Sequence, residues 1–233
     1  MITVENLCVK YGAFEAVRDV SFTIGQNEVL GFLGPNGAGK TTVMRILAGY
    51  HFPCSGTVCI DGLSLEENTR EIQKRIGYLS ENVPLYGDLT PWEFLHFAAE
   101  IRSIPKEDRI RVVEKALLAC GIENRKNQRI ETLSRGLRQR VGLAQAILHD
   151  PPILILDEPM TGLDPNQIME IRSLIKELGK TKTVIFSTHI LQEVESICSS
   201  YIILNKGRIA AQGLMEEIET SLEDIFIKLN QGG

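Results

Sequence analysis

Short apolar runs alternate with longer stripes of helical period along the chain. Ile2-Thr3-Val4, Leu7 to Tyr11 and Val17 to Ile24 are rich in β-branched and apolar residues and predict strands. The polar turn Gly25 to Glu28 leads into the apolar strand Val29 to Leu33, which runs into Gly34. Lys40 to Ala48 predicts a helix stopped by Gly49. Thr57 to Ile60 with Asp61-Gly62 reads as a strand and turn, and Ile76 to Leu79 as a further strand. Ile153 to Leu156 is apolar without interruption, as a strand covered on both faces requires, and it ends at Asp157 and Glu158. Thr183 to Ser187 predicts a strand ending near His189. Tyr201 to Leu204, the turn Asn205-Lys206-Gly207 and Arg208 to Ala210 predict a hairpin.

The middle of the chain changes period. Thr90-Pro91-Trp92-Glu93 is a helix start, with a Thr cap, Pro at the first position and Glu at the third. That helix runs toward Ile101. A second, Lys106 to Cys120, carries Ile110, Val113, Leu117 and Leu118 at helical spacing. Further helices are predicted over Gly136 to Leu148, from the cap Asp164 to Leu178 with Gly179 as stop, and over Ile190 to Cys198. A last one follows the cap Ser221, with Leu222, Ile225, Phe226 and Leu229 on one face. Helices alternating with buried strands predict an α/β fold with a mostly parallel sheet covered on both sides. A small antiparallel sheet is expected from the first 30 residues with 57–62. The expected organisation is a single domain over 1–233. Its core is 1–82 with 131–219, a helical subdomain is inserted at 83–130, and a short helix and tail occupy 220–233.

Composition narrows the function classes. Lys and Arg total 25 against 30 acids, a net charge of -5, which argues against a protein that lives on nucleic-acid phosphates. The five cysteines, Cys8, Cys54, Cys59, Cys120 and Cys198, are odd in number and scattered, unlike a secreted disulfide framework. His51, Cys54 and Cys59 lie close in sequence without the spacing of a zinc site. No apolar run approaches the ~18 residues of a membrane span.

Gly34-Pro35-Asn36-Gly37-Ala38-Gly39-Lys40-Thr41 matches the phosphate-binding loop pattern at every position, between a predicted strand and a predicted helix. Glycines let successive backbone N–H groups converge on phosphate oxygens, and the helix N-terminus adds its positive end. Lys40 is expected on the β- and γ-phosphates, Thr41 on magnesium and Thr42 near the α-phosphate. Asp157 ends a buried strand at the carboxyl edge of the sheet, where ligands of such folds bind, and is expected to orient magnesium. Glu158 is placed to polarise a water for attack on the γ-phosphate. His189, also after a strand end, is placed to bond the γ-phosphate and that water.

With these motifs in order, the chain resembles the ATPase subunit of an ATP-binding cassette (ABC) transporter over nearly its whole length. The resemblance implies a P-loop NTPase core that binds ATP and Mg2+. It also implies roles for particular residues. Tyr11 matches the aromatic that stacks on adenine. Leu133-Ser134-Arg135-Gly136-Leu137-Arg138-Gln139-Arg140 stands at the family signature, and Gly162-Leu163-Asp164 matches the loop crossing the dimer seam. Ile153 to Glu158 matches the magnesium strand with the catalytic glutamate, and His189 the switch histidine. In the family, two subunits pack head to tail, so each ATP lies between one phosphate loop and the other subunit's signature. Ser134, Arg135, Gly136 and Asp164 are therefore expected on the nucleotide from the opposite subunit.

Two departures stand out. Arg135 and Leu137 replace the commoner Gly and Gln of the signature, and Glu81 replaces a Gln that senses magnesium. An ionised carboxylate at 81 still ligates a metal but no longer donates a hydrogen bond. Both departures, with the closing Ser221-Leu222-Glu223-Asp224-Ile225-Phe226, resemble the branch paired with ABC-2-type permeases, among them gliding-motility, drug and lipid exporters. The expected partners are a second ATPase subunit and a separate transmembrane permease. The expected location is the inner face of the cell membrane, and no nucleic acid is expected. Leu85 and Tyr86, beside Glu81, are candidates for contact with the permease, whereas Phe94 and Phe97 are read as filling the insertion's core. The alternatives are a soluble cassette ATPase acting on a non-transport partner and a regulatory subunit with weak hydrolysis. The closing Gln231-Gly232-Gly233 carries no readable function.

Overall fold

The computed structural model describes residues 1–218 and 221–231. Strands β1 (Ile2–Tyr11) and β2 (Phe14–Ile24) form an antiparallel hairpin. The β1 strand is continuous where the sequence reading breaks it. Asn6 takes a positive φ of 49°, so the register shifts in a bulge between Val4 and Leu7 without ending the pairing. Next come β3 (Val29–Leu33), helix α1 (Lys40–Leu47), β4 (Ser55–Ile60) and β5 (Leu63–Ser64). Helix α2 (Leu65–Lys74) was not predicted. Only Leu65 and Ile72 are buried in it, too few to mark a stripe, and it is defined by packing against β4 and β5. Then come β6 (Ile76–Leu79), α3 (Pro91–Ile101), α4 (Lys106–Ala119), α5 (Arg135–Ile147) and β7 (Ile153–Leu156). The chain continues through α6 (Pro165–Gly179), β8 (Thr183–Thr188), α7 (Leu191–Ile197), β9 (Ser200–Asn205), β10 (Arg208–Leu214) and α8 (Leu222–Gln231).

The six-stranded sheet has the order β10-β9-β3-β8-β7-β6 and is parallel except for β10. The four-stranded sheet, β2-β1-β4-β5, is antiparallel. This is a P-loop NTPase core with a small antiparallel sheet and inserted helices. The pleat of the central sheet divides the hydrophobic core in two, because successive residues of a strand face opposite ways. Ile153 and Ile155 of β7 join Ile185, Leu30 and Phe32 on the face that carries α1 and the antiparallel sheet. Leu154 and Leu156 join Val184, Phe186 and the apolar sides of α3 to α6 on the other.

Several helix details differ from the sequence reading. Gly179 is the last residue of α6, one beyond the predicted end, and an added Cβ there would come 2.3 Å from Val29 Cγ2. On α4, Val113 and Leu117 are buried while Ile110 and Leu118 face out, so the inward stripe is narrower than the spacing implied. Phe94 is buried as expected, but Phe97 is 41% exposed. The Thr90 cap of α3 is present as a full capping box with Glu93. Ser221 Oγ accepts from Asp224 N at 3.1 Å, and Leu222 is buried. The side chain of Leu229, and the tail beyond Gln231, lie outside the described residues.

Four loops leave the carboxyl ends of neighbouring parallel strands: the phosphate loop after β3, His189 after β8, Asp157 and Glu158 after β7, and Glu81 after β6. Adjacent strand ends therefore gather groups that lie far apart in sequence.

Candidate active site

The phosphate loop begins at Gly34, where an added Cβ would sit 2.4 Å from Leu204 O. It ends at Gly39, which takes φ 106° and passes 2.6 Å, measured from its ideal Cβ, from Ala16 O. Any side chain at either position would push the loop off the strands behind it. Gly39 caps α1 without a side-chain bond, so the first N–H groups of α1 remain available. Lys40 is 6% exposed. Its Nζ donates to Gly34 O at 2.7 Å and Pro35 O at 3.3 Å, and lies 3.4 Å from Glu158 Oε1. The lysine thus has its charge beside the loop, with two carbonyls and a carboxylate holding it there.

Asp157 is fully buried at the end of β7. Its Oδ1 accepts from Ser187 Oγ at 2.6 Å and from Thr41 Oγ1 at 3.1 Å. Its Oδ2 is buried without a hydrogen-bond partner. Burial pushes its carboxyl above the usual aspartate range, against the bonds from Ser187 and Thr41. A buried carboxylate oxygen with a free lone pair, next to a threonine hydroxyl, is the oxygen donor set a hard divalent cation takes. The residues therefore fit magnesium.

Glu158 adopts φ 49°, a left-handed conformation that is uncommon for a long side chain. Its N–H donates to Ser187 Oγ at 2.9 Å, and Thr161 Oγ1 donates to its Oε2 at 2.8 Å. His189 Nδ1 lies 3.1 Å from Oε2 and 3.3 Å from Oε1. The carboxylate is 8% exposed and faces a lysine and a histidine, a geometry suited to directing a water at a phosphoryl group.

A cavity of about 400 Å³ is lined by Tyr11, Phe14, Ala16, Asn36 to Thr42, Glu81 and Glu158. Tyr11 is thus brought to the loop's cavity, and Glu81 reaches its rim. Ser134, Arg135, Gly136 and Asp164 do not line it. Ser134 and Arg135 are exposed at the start of α5, with Ser134 Oγ accepting from Leu137 N at 3.3 Å. The Arg135 guanidinium lies over Gly162, whose added Cβ would come 2.5 Å from Cζ. Gly136 is buried, and Gln167 Oε1 would stand 2.3 Å from a Cβ there, so this glycine accommodates α6 of its own chain. Asp164 is exposed and forms a capping box with Gln167, whose N–H donates to Asp164 Oδ1 at 3.0 Å. Glu81 and Arg135 also share a second cavity of about 520 Å³, with Leu85, Glu131 and Arg138.

Three supporting residues escaped sequence reasoning. Ser187 bridges Asp157 and the backbone of Glu158, and its only sequence signal was a hydroxyl closing an apolar strand. Thr188 Oγ1 donates to Glu193 Oε2 at 2.5 Å and accepts from Ile190 N at 3.0 Å. Glu193 is 2% exposed, its carboxyl raised by burial, and so anchors the backbone on both sides of His189.

Fold and site together define a P-loop ATPase. The ABC transporter family pattern matches residues 17–161. The uncharacterized ABC transporter ATP-binding protein YxlF of Bacillus subtilis is 39% identical over 220 residues, 94% of this chain and 72% of that protein. The bacitracin transport ATP-binding protein BcrA of Enterococcus faecalis is 36% identical over 223 residues, 95% of this chain and 70% of that one. The dimeric, post-hydrolysis ATP-binding cassette MJ0796, bound to ADP and Pi, superposes with a TM-score of 0.85. It is 25% identical, covering 94% of this chain and 100% of that one. The chain belongs to the ABC transporter family and is one of its ATPases. Among the described residues, no helix is long and apolar enough to cross a membrane.

Proposed function

We propose that this chain powers export through a separate ABC-2-type permease, hydrolysing ATP at sites shared between two cassettes. One observation carries the shared-site reading. The chain has two helix starts suited to phosphate, and only one of them opens into the cavity with Lys40 and Glu158. The other, capped by Ser134 and free of acid in its first turn, faces solvent. A helix end presenting donors to solvent attracts an anion from outside its own chain. In this reading Tyr11 stacks on the base, and residues 34–42 hold the phosphates. Lys40 turns from Gly34 O toward the β- and γ-phosphates. Glu158 holds the attacking water while His189 bonds the γ-phosphate. Thr41, Asp157 and Glu81 would hold magnesium, which when bound neutralises charge on the phosphate oxygens. Ser134, Arg135, Gly136 and Asp164 act from the opposite subunit.

Toward the permease, Tyr86 is 53% exposed and packs edge-on to Phe97 at 5.9 Å between ring centroids. These two rings offer a contact for a cytoplasmic segment of the permease, together with Leu85, which is half-buried against the core and lines the cavity that holds Glu81. The docking would hold the chain at the inner face of the membrane. Bacitracin transport by BcrA, as its name states, supports the transport assignment. Two measurements test the proposal. Glu158→Gln is expected to run as a dimer on size exclusion in saturating ATP; a monomer there overturns the shared site. Pull-down from native membranes is expected to recover a multi-span permease, and recovery of soluble partners alone overturns the transport reading.

A further inference from the structure

The loop that joins α1 to β4 touches the nucleotide cavity's aromatic wall at one point. His51 stacks on Tyr11 with ring centroids 5.3 Å apart and planes 13° from parallel. Tyr11 lines the cavity beside the phosphate loop and His51 does not, so the imidazole backs the phenol ring and leaves its other face to the cavity. Tyr11 needs such a support. It is the last residue of β1, is followed by Gly12 at φ 61°, and is 45% exposed. A ring at a strand end beside a glycine turn has rotamers to lose when a flat ligand lands on it. A parallel neighbour removes part of that freedom beforehand.

His51 is itself fixed. Gly49 N donates to Ile46 O and Tyr50 N to Arg45 O, both at 2.8 Å, which ties the residues before it to the end of α1. Cys54 N donates to Cys8 O at 2.8 Å, which ties those after it to β1. The other end of α1 is the phosphate loop. One eight-residue helix therefore connects the group that meets the phosphates to the group that backs the aromatic wall.

We infer that His51 is a positioning residue for the nucleotide base, holding Tyr11 as the middle layer of a three-ring stack of imidazole, phenol and purine. This rests on the reading of Tyr11 as the base-stacking residue, and the experiment separates the two. Titration calorimetry with ATP and with inorganic tripolyphosphate, each with Mg2+, is run on wild type, His51→Ala, His51→Phe and Tyr11→Ala. His51→Ala is expected to weaken ATP about three- to tenfold, the worth of one aromatic pair, and to leave tripolyphosphate unchanged. His51→Phe restores ATP affinity, and the KM for ATP in His51→Ala rises by more than its kcat falls. If Tyr11→Ala weakens ATP and His51→Ala does not, the role of His51 is overturned and that of Tyr11 stands. If Tyr11→Ala itself leaves ATP affinity unchanged, the stacking reading fails and the inference falls with it. Equal weakening of ATP and tripolyphosphate by His51→Ala overturns the inference too, since the residue would then act through the phosphate loop.

Discussion

The amino ends of α1 and α5 begin from similar chemistry and are finished differently. At α1 the cap is Gly39, which supplies no side-chain acceptor, and the chain's own Lys40, Asp157, Glu158 and Thr41 converge around the exposed donors. At α5 the cap is Ser134, which satisfies Leu137 N, and the nearest long side chain, Arg135, is laid across Gly162 rather than over the helix end. The first end carries its own cation, carboxylates and histidine. The second has no acidic residue in its own first turn. The difference teaches that a phosphate-binding helix start becomes a reaction centre through what neighbouring strands deliver to it, and that α5 is built as half of something.

The comparison breaks most sharply at Glu158. Glu158→Gln is expected to lower ATP turnover by about 10²–10⁴-fold, the worth of a positioned general base, with ATP binding retained. Turnover within a few-fold of wild type would remove Glu158 from the chemistry and leave α1 no different in kind from α5. At α5, Ser134→Ala is expected to cost about 1 kcal/mol of stability through the lost cap, as is Thr90→Ala at α3. Only the Ser134 variant should also lose turnover, measured at equal folded fraction. Equal turnover in both would make Ser134 a cap and nothing more.

A smaller effect concerns the stability given up at the α1 end. The Asp157 carboxyl is raised above 3.8 by burial, so the folded state holds its proton more tightly than the unfolded chain. Stability contributed by the neutral form is full below that ordinary value and is lost as pH rises through the folded one. In the nucleotide-free protein this carboxyl is buried with Oδ2 unpartnered, so ionising it costs stability. Asp157→Asn is expected to raise its Tm by roughly 2–4 °C, the shift for about 1 kcal/mol in a chain of this size, while impairing magnesium-dependent turnover. A lowered Tm in thermal melts would contradict this.

His149 lies away from both helix ends and gives the smallest effect. Burial, with Arg102 next in importance, holds its imidazole down to about 4, against an ordinary 6.5. The unfolded chain thus takes up a proton first, and stability falls as pH drops from 6.5 toward 4. Because the ring is partly solvated, the loss at pH 5 is expected to be roughly 1 kcal/mol. His149→Gln should flatten that part of the stability profile in denaturant titrations. An unchanged slope would assign the acid sensitivity elsewhere.

Much of this molecule was readable from residue order. The phosphate loop, the apolar strand ending in Asp157 and Glu158, the Thr90 and Asp164 caps, and the parallel sheet all come from short-range rules of period, capping and turn chemistry, which act within a few residues. What the order could not reveal depends on neighbours distant in sequence. Ser187 matters because β8 lies against β7, which places its hydroxyl between Asp157 and Glu158. Gly136 and Gly179 are small because Gln167 and Val29 press on them. Arg135 rests on Gly162, and α2 exists with barely an apolar stripe, because tertiary contacts outweigh local preference. The tool for gripping phosphate is thus legible locally, since its glycines, Lys40 and Thr41 fall within eight consecutive residues between a strand and a helix. Which groups surround it was decided by the packing of strands, since a buried carboxylate finds its partners only across the sheet.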